Sequence, residues 1–177
     1  MRQFANRCLL SIALATASAG AMSGDLKTLP DVAIHASANR NESSPATLLT
    51  VKPSGNWVLL VLNSRLSGSE AYLSSLKADG FDGDKLVVLL LSDAELAQSW
   101  AAREVLPSKA RLASSEVYQV LAGLNLPGTP AFFGITAEGK IAWQRLGYGK
   151  KPGERLVQMW DWVKRPIPPA SRISVGQ

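Results

Sequence analysis

The sequence predicts an α/β domain with a parallel-stranded centre, on three observations. Two stretches, Trp57-Val-Leu-Leu-Val-Leu62 and Lys85-Leu-Val-Val-Leu-Leu-Leu91, are almost unbroken apolar runs, the pattern of strands covered on both faces. Each is followed by residues with helical features, giving the strand-helix-strand-helix rhythm of a parallel sheet. Further on, two short strand-like stretches flank a turn that contains glycine, which reads as a hairpin.

The elements follow in order. Residues 1–21 combine a positive start (Arg2, Arg7), a short apolar stretch from Cys8 to Ala19, and small residues spaced as Ala17-x-Ala19 or Ala19-x-Ala21. This is the pattern of a secretory signal peptide, and its apolar part falls short of the roughly 20 residues a membrane span needs. Residues 22–45 are rich in Ser, Asn, Asp and Ala and predict a loose extension with at most a short strand, in which His35 is exposed to solvent. A domain is expected over 46–163. Its first strand is placed at Thr47–Val51 and its first turn at Lys52–Asn56, before the central strand from Trp57. Tyr72, Leu73 and Leu76 mark a helix that ends at Asp79-Gly80, and Asp93 is placed to cap a helix from Ala94 to about Glu104. The segment Arg111–Leu121 is predicted as a further short helix capped by Ser114 or Ser115. Pro130–Ile135, the turn Ala137–Lys140 and Ile141–Leu146 make the hairpin. Pro152-Gly-Glu154 opens a closing helix with Leu156, Val157, Trp160 and Val163 on one face, and residues 164–177 form a proline-rich tail that cannot continue it.

Composition narrows the chemistry. The chain has 177 residues, 46% of them hydrophobic, enough for one core rather than two. Its formal charge is +5, but Arg2 and Arg7 lie in the leader and residues 1–21 contain no acid, so the remainder is only mildly basic. Lysines and arginines are scattered, which speaks against nucleic-acid binding. Cys8 is the only cysteine and His35 the only histidine. No metal site and no Ser-His or Cys-His nucleophile pair can be assembled from them, so neither cofactor nor metal is expected. If the leader is removed, no thiol remains.

The element order, with Gly128-Thr129-Pro130 leading directly into the hairpin and a closing helix, resembles the thioredoxin fold, and in particular periplasmic thioredoxins of the cytochrome-maturation and alkyl-hydroperoxide-reductase type. The likeness spans about Ala46 to Val163 and is densest from Leu126 to Tyr148. It implies a three-layer α/β/α sandwich with a mixed central sheet, a cis Pro130, Thr129 facing the functional site, and Gly139-Lys140 joining two antiparallel strands. It also places the reactive motif where the first central strand enters its helix, at Leu62-Asn-Ser-Arg-Leu-Ser-Gly-Ser-Glu-Ala-Tyr72, which has no cysteine. Counting from the strand puts Ser67 and Glu70 at the two cysteine positions; counting back from the helix puts Leu66 and Ser69 there.

Disulfide exchange requires a thiolate, and serine has no useful counterpart to it. Ser67 or Ser69 as a nucleophile would have no histidine as general base, and Glu70 nearby would make an unusual Glu-only arrangement, so a serine capping the helix start, with Gly68 in the turn, is the expected role. What remains is a non-catalytic protein- or peptide-binding module of the cell envelope, periplasmic or secreted. Ser67, Gly68, Ser69, Glu70, Thr129 and Pro130 would line a groove for an extended segment of a partner. The alternative is a structural component of an envelope secretion or conjugation assembly, docking through the aromatic end Trp160-Asp-Trp162. A thiol-disulfide oxidoreductase is the third reading. Neither nucleic-acid binding nor membrane insertion after signal cleavage is expected, and the sequence leaves the oligomeric state open.

Overall fold

A computed structural model describes residues 26–39, 42–102, 106–115, 117–151 and 153–166. The signal-peptide reading and Cys8, and most of the proline-rich tail, lie outside these residues. The centre is a seven-stranded sheet made of β1 (Ala33–Asn39), β2 (Glu42–Thr47), β3 (Trp57–Asn63), β4 (Leu86–Leu91), β5 (Arg111–Ser115), β6 (Ala131–Ile135) and β7 (Ile141–Leu146), in the order β2-β1-β5-β4-β3-β6-β7. β3, β4 and β5 run parallel; β6 and β7 are added antiparallel on one side, β1 and β2 on the other. The sheet is therefore mixed.

Alternation along β3 explains the uninterrupted run from Trp57 to Leu62, every residue of which is buried. Trp57, Leu59 and Val61 join Val87, Leu89 and Phe133 on one face, under Leu29, Val32, Leu48 and the helix α3 (Val117–Gly123). Val58, Leu60 and Leu62 join Val88, Leu90 and Phe132 on the other, under α1 (Ser67–Ala78), α2 (Ala94–Ala102) and α4 (Glu154–Val163). Helices on both faces of one sheet make the three-layer sandwich.

The local stops and starts are chemical. At the end of α1, Gly80 adopts φ +68°, its amide bonds to the Lys77 carbonyl at 3.1 Å, and the Phe81 amide bonds to Leu76 at 3.0 Å. This paired closure needs a residue tolerant of the left-handed region, which glycine supplies. At the start of α2, Asp93 Oδ1 accepts the Leu96 amide at 2.8 Å, so the aspartate cap is present.

Four expectations need correction. Arg111–Ser115 is a strand paired parallel with β4, and only Val117–Gly123 is helical. Ser114 and Ser115 are buried strand residues, and the Ser115 hydroxyl donates to the Ala33 carbonyl at 3.0 Å instead of capping a helix. The expected loose extension supplies β1 and β2, with Leu29, Val32 and Ile34 buried, so the folded part begins well before Ala46. The strand expected at Thr47–Val51 ends at Thr47, where the chain turns and the Thr50 amide bonds back to the Thr47 carbonyl at 3.1 Å. On α4, Leu156, Trp160 and Val163 pack against the core as expected, beside the buried Met159 and Trp162, and only Val157 departs from the expected face, at 60% exposed. His35, on β1, is exposed as expected.

Candidate functional site

The end of β3 and the start of α1 are joined by a tight polar turn. Asn63 Oδ1 accepts the Arg65 amide at 2.9 Å, and the Asn63 carbonyl accepts both the Leu66 amide at 3.1 Å and the Ser69 hydroxyl at 2.8 Å. Ser69 is thereby buried to 1% exposure with its hydroxyl committed. The residue in the cap position is Leu66, 44% exposed, and no side chain caps the helix. The expected serine cap is therefore absent: Ser67 is the exposed first residue of α1, and Ser69 faces back toward the strand. Glu70 sits in the first turn, where a carboxylate complements the helix dipole. The two ways of counting the missing cysteines thus differ physically. Leu66 with Ser69 pairs an exposed position with a buried one, and Ser67 with Glu70 pairs an exposed position with a half-buried one.

Thr129 and Pro130 arrive at the same end of the sheet from the other direction. β6 pairs antiparallel with β3 up to Val61 opposite Ala131, so the residues just before Ala131 lie beside Leu62 and Asn63, where α1 begins. The Thr129–Pro130 peptide is cis. Pro130 is buried, and its carbonyl accepts the Gly147 amide at 2.9 Å. Thr129 is half-buried, and among the described residues neither its amide nor its carbonyl has a backbone partner.

The structure adds a residue that the sequence did not single out. Tyr148, just beyond β7, lies against Gly68: a Cβ on that glycine would stand 3.5 Å from Tyr148 Cε2. Its ring also meets Tyr72 of α1 at 4.8 Å between centroids, and both rings face Phe132. Its hydroxyl is buried without a partner among the described residues, whereas the Tyr72 hydroxyl donates to Met159 Sδ at 3.8 Å. Burial, with a smaller contribution from Tyr148, pushes the Tyr72 phenol up, so it stays protonated. A cleft of about 540 Å³ opens beside this aromatic group, between α1 and the loop of Lys150 and Lys151. The only earlier signal for Tyr148 was its place at the end of the segment that carries the resemblance.

The one histidine of the sequence stands away from Ser67 and Ser69. His35 lies on β1, three strands from β3, which at about 4.8 Å per strand is roughly 14 Å across the sheet. Among the described residues no group of three or more His, Cys, Asp or Glu could hold a metal ion, and no helix is long and apolar enough to cross a membrane.

Solved structures share the architecture. The thiol:disulfide interchange protein DsbE from Chlorobium tepidum superposes with a TM-score of 0.57 at 19% identity, covering 76% of this chain and 94% of that one. The fold is thioredoxin-like. The reduced 2-Cys peroxiredoxin of Plasmodium vivax matches with a TM-score of 0.58 at 15% identity over 76% of this chain and 93% of that one. A protein disulfide isomerase from Bacteroides thetaiotaomicron matches with 0.57 at 17% identity over 78% and 89%. No protein-family model and no curated protein matches the chain by sequence. With one cysteine in the whole sequence, this thioredoxin-like chain has no CxxC redox site.

Proposed function

We propose that this protein is an exported thioredoxin-fold binding module of the cell envelope, which holds an extended segment of a partner protein without reacting with it. The observation that supports this most directly is the open backbone of Thr129, whose amide and carbonyl are unpaired among the described residues at the end of the sheet where α1 starts without a side-chain cap. An extended chain pairs with such groups through its own backbone, and flanking pockets then choose its side chains. Leu66 and Leu146, each 44% exposed, are apolar contacts at the same end of the sheet. With Cys8 the only cysteine in the sequence, no dithiol is available for disulfide exchange with the bound segment.

The structural-component alternative keeps only part of its motivating patch: Trp162 is 8% exposed with its indole committed inside the domain, while Trp160 is half-buried against Phe81. The test is site-specific photo-crosslinking in the native envelope. The probe stands at Leu66, which is exposed at the start of α1. Capture of one dominant protein, lost when Thr129→Trp obstructs the groove in a still-folded protein, is the expected result. Capture that ignores Thr129→Trp, or no capture at all, overturns the reading.

A further inference from the structure

The chain leaves β7 through Gly147 and Gly149, both at positive φ, into a loop that two consecutive residues of α4 grip from below. The Glu154 carboxylate accepts the amides of Lys150, at 2.8 Å, and Lys151. Arg155 reaches the preceding carbonyls: Nε donates to Gly147 at 3.2 Å and Nη2 to Leu146 at 3.4 Å. Its Nη1 donates to Gln158 Oε1 at 3.3 Å and stands 3.5 Å from Glu154 Oε1.

The Arg155 side chain is only 11% exposed. Burying a guanidinium is costly, and ordinary surface ion pairs do not require it. Here the planar fork is directed at two successive backbone carbonyls, a geometry lysine cannot reproduce. The next links lead to the groove. Gly147 donates its amide to the Pro130 carbonyl, and its neighbour Tyr148 rests on Gly68 at the start of α1.

We propose that Arg155 and Glu154 are positioning residues for the groove: Arg155 fixes Gly147 so that it holds Pro130, Glu154 fixes the Lys150–Lys151 end of the loop, and Tyr148 between them forms the wall facing the start of α1. This rests on the binding reading above. α4, which touches the partner nowhere in this scheme, then sets how well the groove is preorganised.

The experiment combines amide hydrogen exchange with the Leu66 crosslinking probe, in the full chain. Arg155→Met keeps the aliphatic stem and removes the fork. It should speed exchange of the Gly147 amide at least tenfold and lower capture at least fivefold, while far-ultraviolet circular dichroism stays unchanged. Arg155→Lys, which keeps charge and one donor group, should restore part of both and carries the test if Arg155→Met does not fold. Unchanged Gly147 protection overturns the proposal, as does faster exchange with undiminished capture. If the unmutated protein captures nothing, the binding reading itself has failed and the positioning role goes with it.

Discussion

The two ends of the central strand pair β3–β6 are built on opposite principles. At one end Trp57 and Ile135 face each other, and the Trp162 indole donates to both of their carbonyls, at 3.1 and 3.2 Å. Trp143 packs edge-on against Trp162 and covers Gly134, which has no room for a side chain. At the other end, past Val61 and Ala131, the strands release Asn63 and Thr129 into a helix start without a side-chain cap and a backbone that is unpaired among the described residues. The contrast separates what holds the domain together from what is left available. Of the two tryptophans read from sequence as a docking patch, Trp162 belongs to the closure of the core and Trp160 is half-buried, and the small polar residues mark the open end.

The largest effect expected from this contrast is at the closed end. Trp162→Ala removes a buried ring and both indole hydrogen bonds, and should cost about 3–5 kcal/mol in equilibrium denaturation. Partner capture, measured on the fraction that remains folded, should be unchanged. A loss of capture larger than the loss of folded protein would instead return Trp162 to the interface.

Gly134→Ala comes next. A methyl group there would overlap the Trp143 indole, which must then shift off Trp162. Overpacking of this kind costs about 1–3 kcal/mol. Gly68→Ala is the matching change at the open end. Its Cβ would meet Tyr148 at an ordinary 3.5 Å, so stability should move by less than about 0.5 kcal/mol. Equal effects of the two substitutions would erase the distinction between the ends.

Within the open end, Ser69 and Ser67 should separate. Ser69→Ala deprives the Asn63 carbonyl of a buried donor and should cost about 1 kcal/mol, whereas Ser67→Ala, at an exposed position, should be neutral in the same denaturation experiment. The reverse order would mean that Ser67 caps the helix after all.

These differences also explain what was legible in the sequence. The uninterrupted runs of β3 and β4 and the Pro130–Leu146 hairpin were readable because burial on both faces, or a glycine turn at Gly139, leaves a strong local signature. β5 was not: Arg-Leu-Ala-Ser-Ser is too short and too small-sided to show a period, and only its place beside β4 makes it a strand. The same holds for β1 and β2, whose Ser, Asn and Ala residues gain a sheet only through the pairing of His35, Ala36 and Ser37 with Ser114, Ala113 and Leu112. At the site, helix start and Thr129-Pro130 were found because each carries a local motif. Tyr148 and Arg155 were missed because their roles exist only through contacts with Gly68 and with the carbonyls of Leu146 and Gly147.

The smallest effect, and the most local, concerns pH. Hydrogen bonds from the Lys150 and Lys151 amides hold the Glu154 carboxyl below the usual carboxylate range. A folded-state pKa below the unfolded one means that the interaction is fully present above the unfolded value and is lost as pH falls through the folded one. Glu154 is solvent-exposed, so global stability should barely register this. The Lys150 amide should: after correction for the intrinsic exchange rate, its protection should fall as the solution is acidified below the usual carboxylate range. Glu154→Gln should remove that pH dependence while leaving the Gly147 amide, held through Pro130, largely protected. If Gly147 loses protection along with Lys150, the two grips of α4 act as a single unit. The groove wall would then loosen in acid, in contrast to the Trp57–Trp162 end, where no titrating side chain takes part in the indole hydrogen bonds.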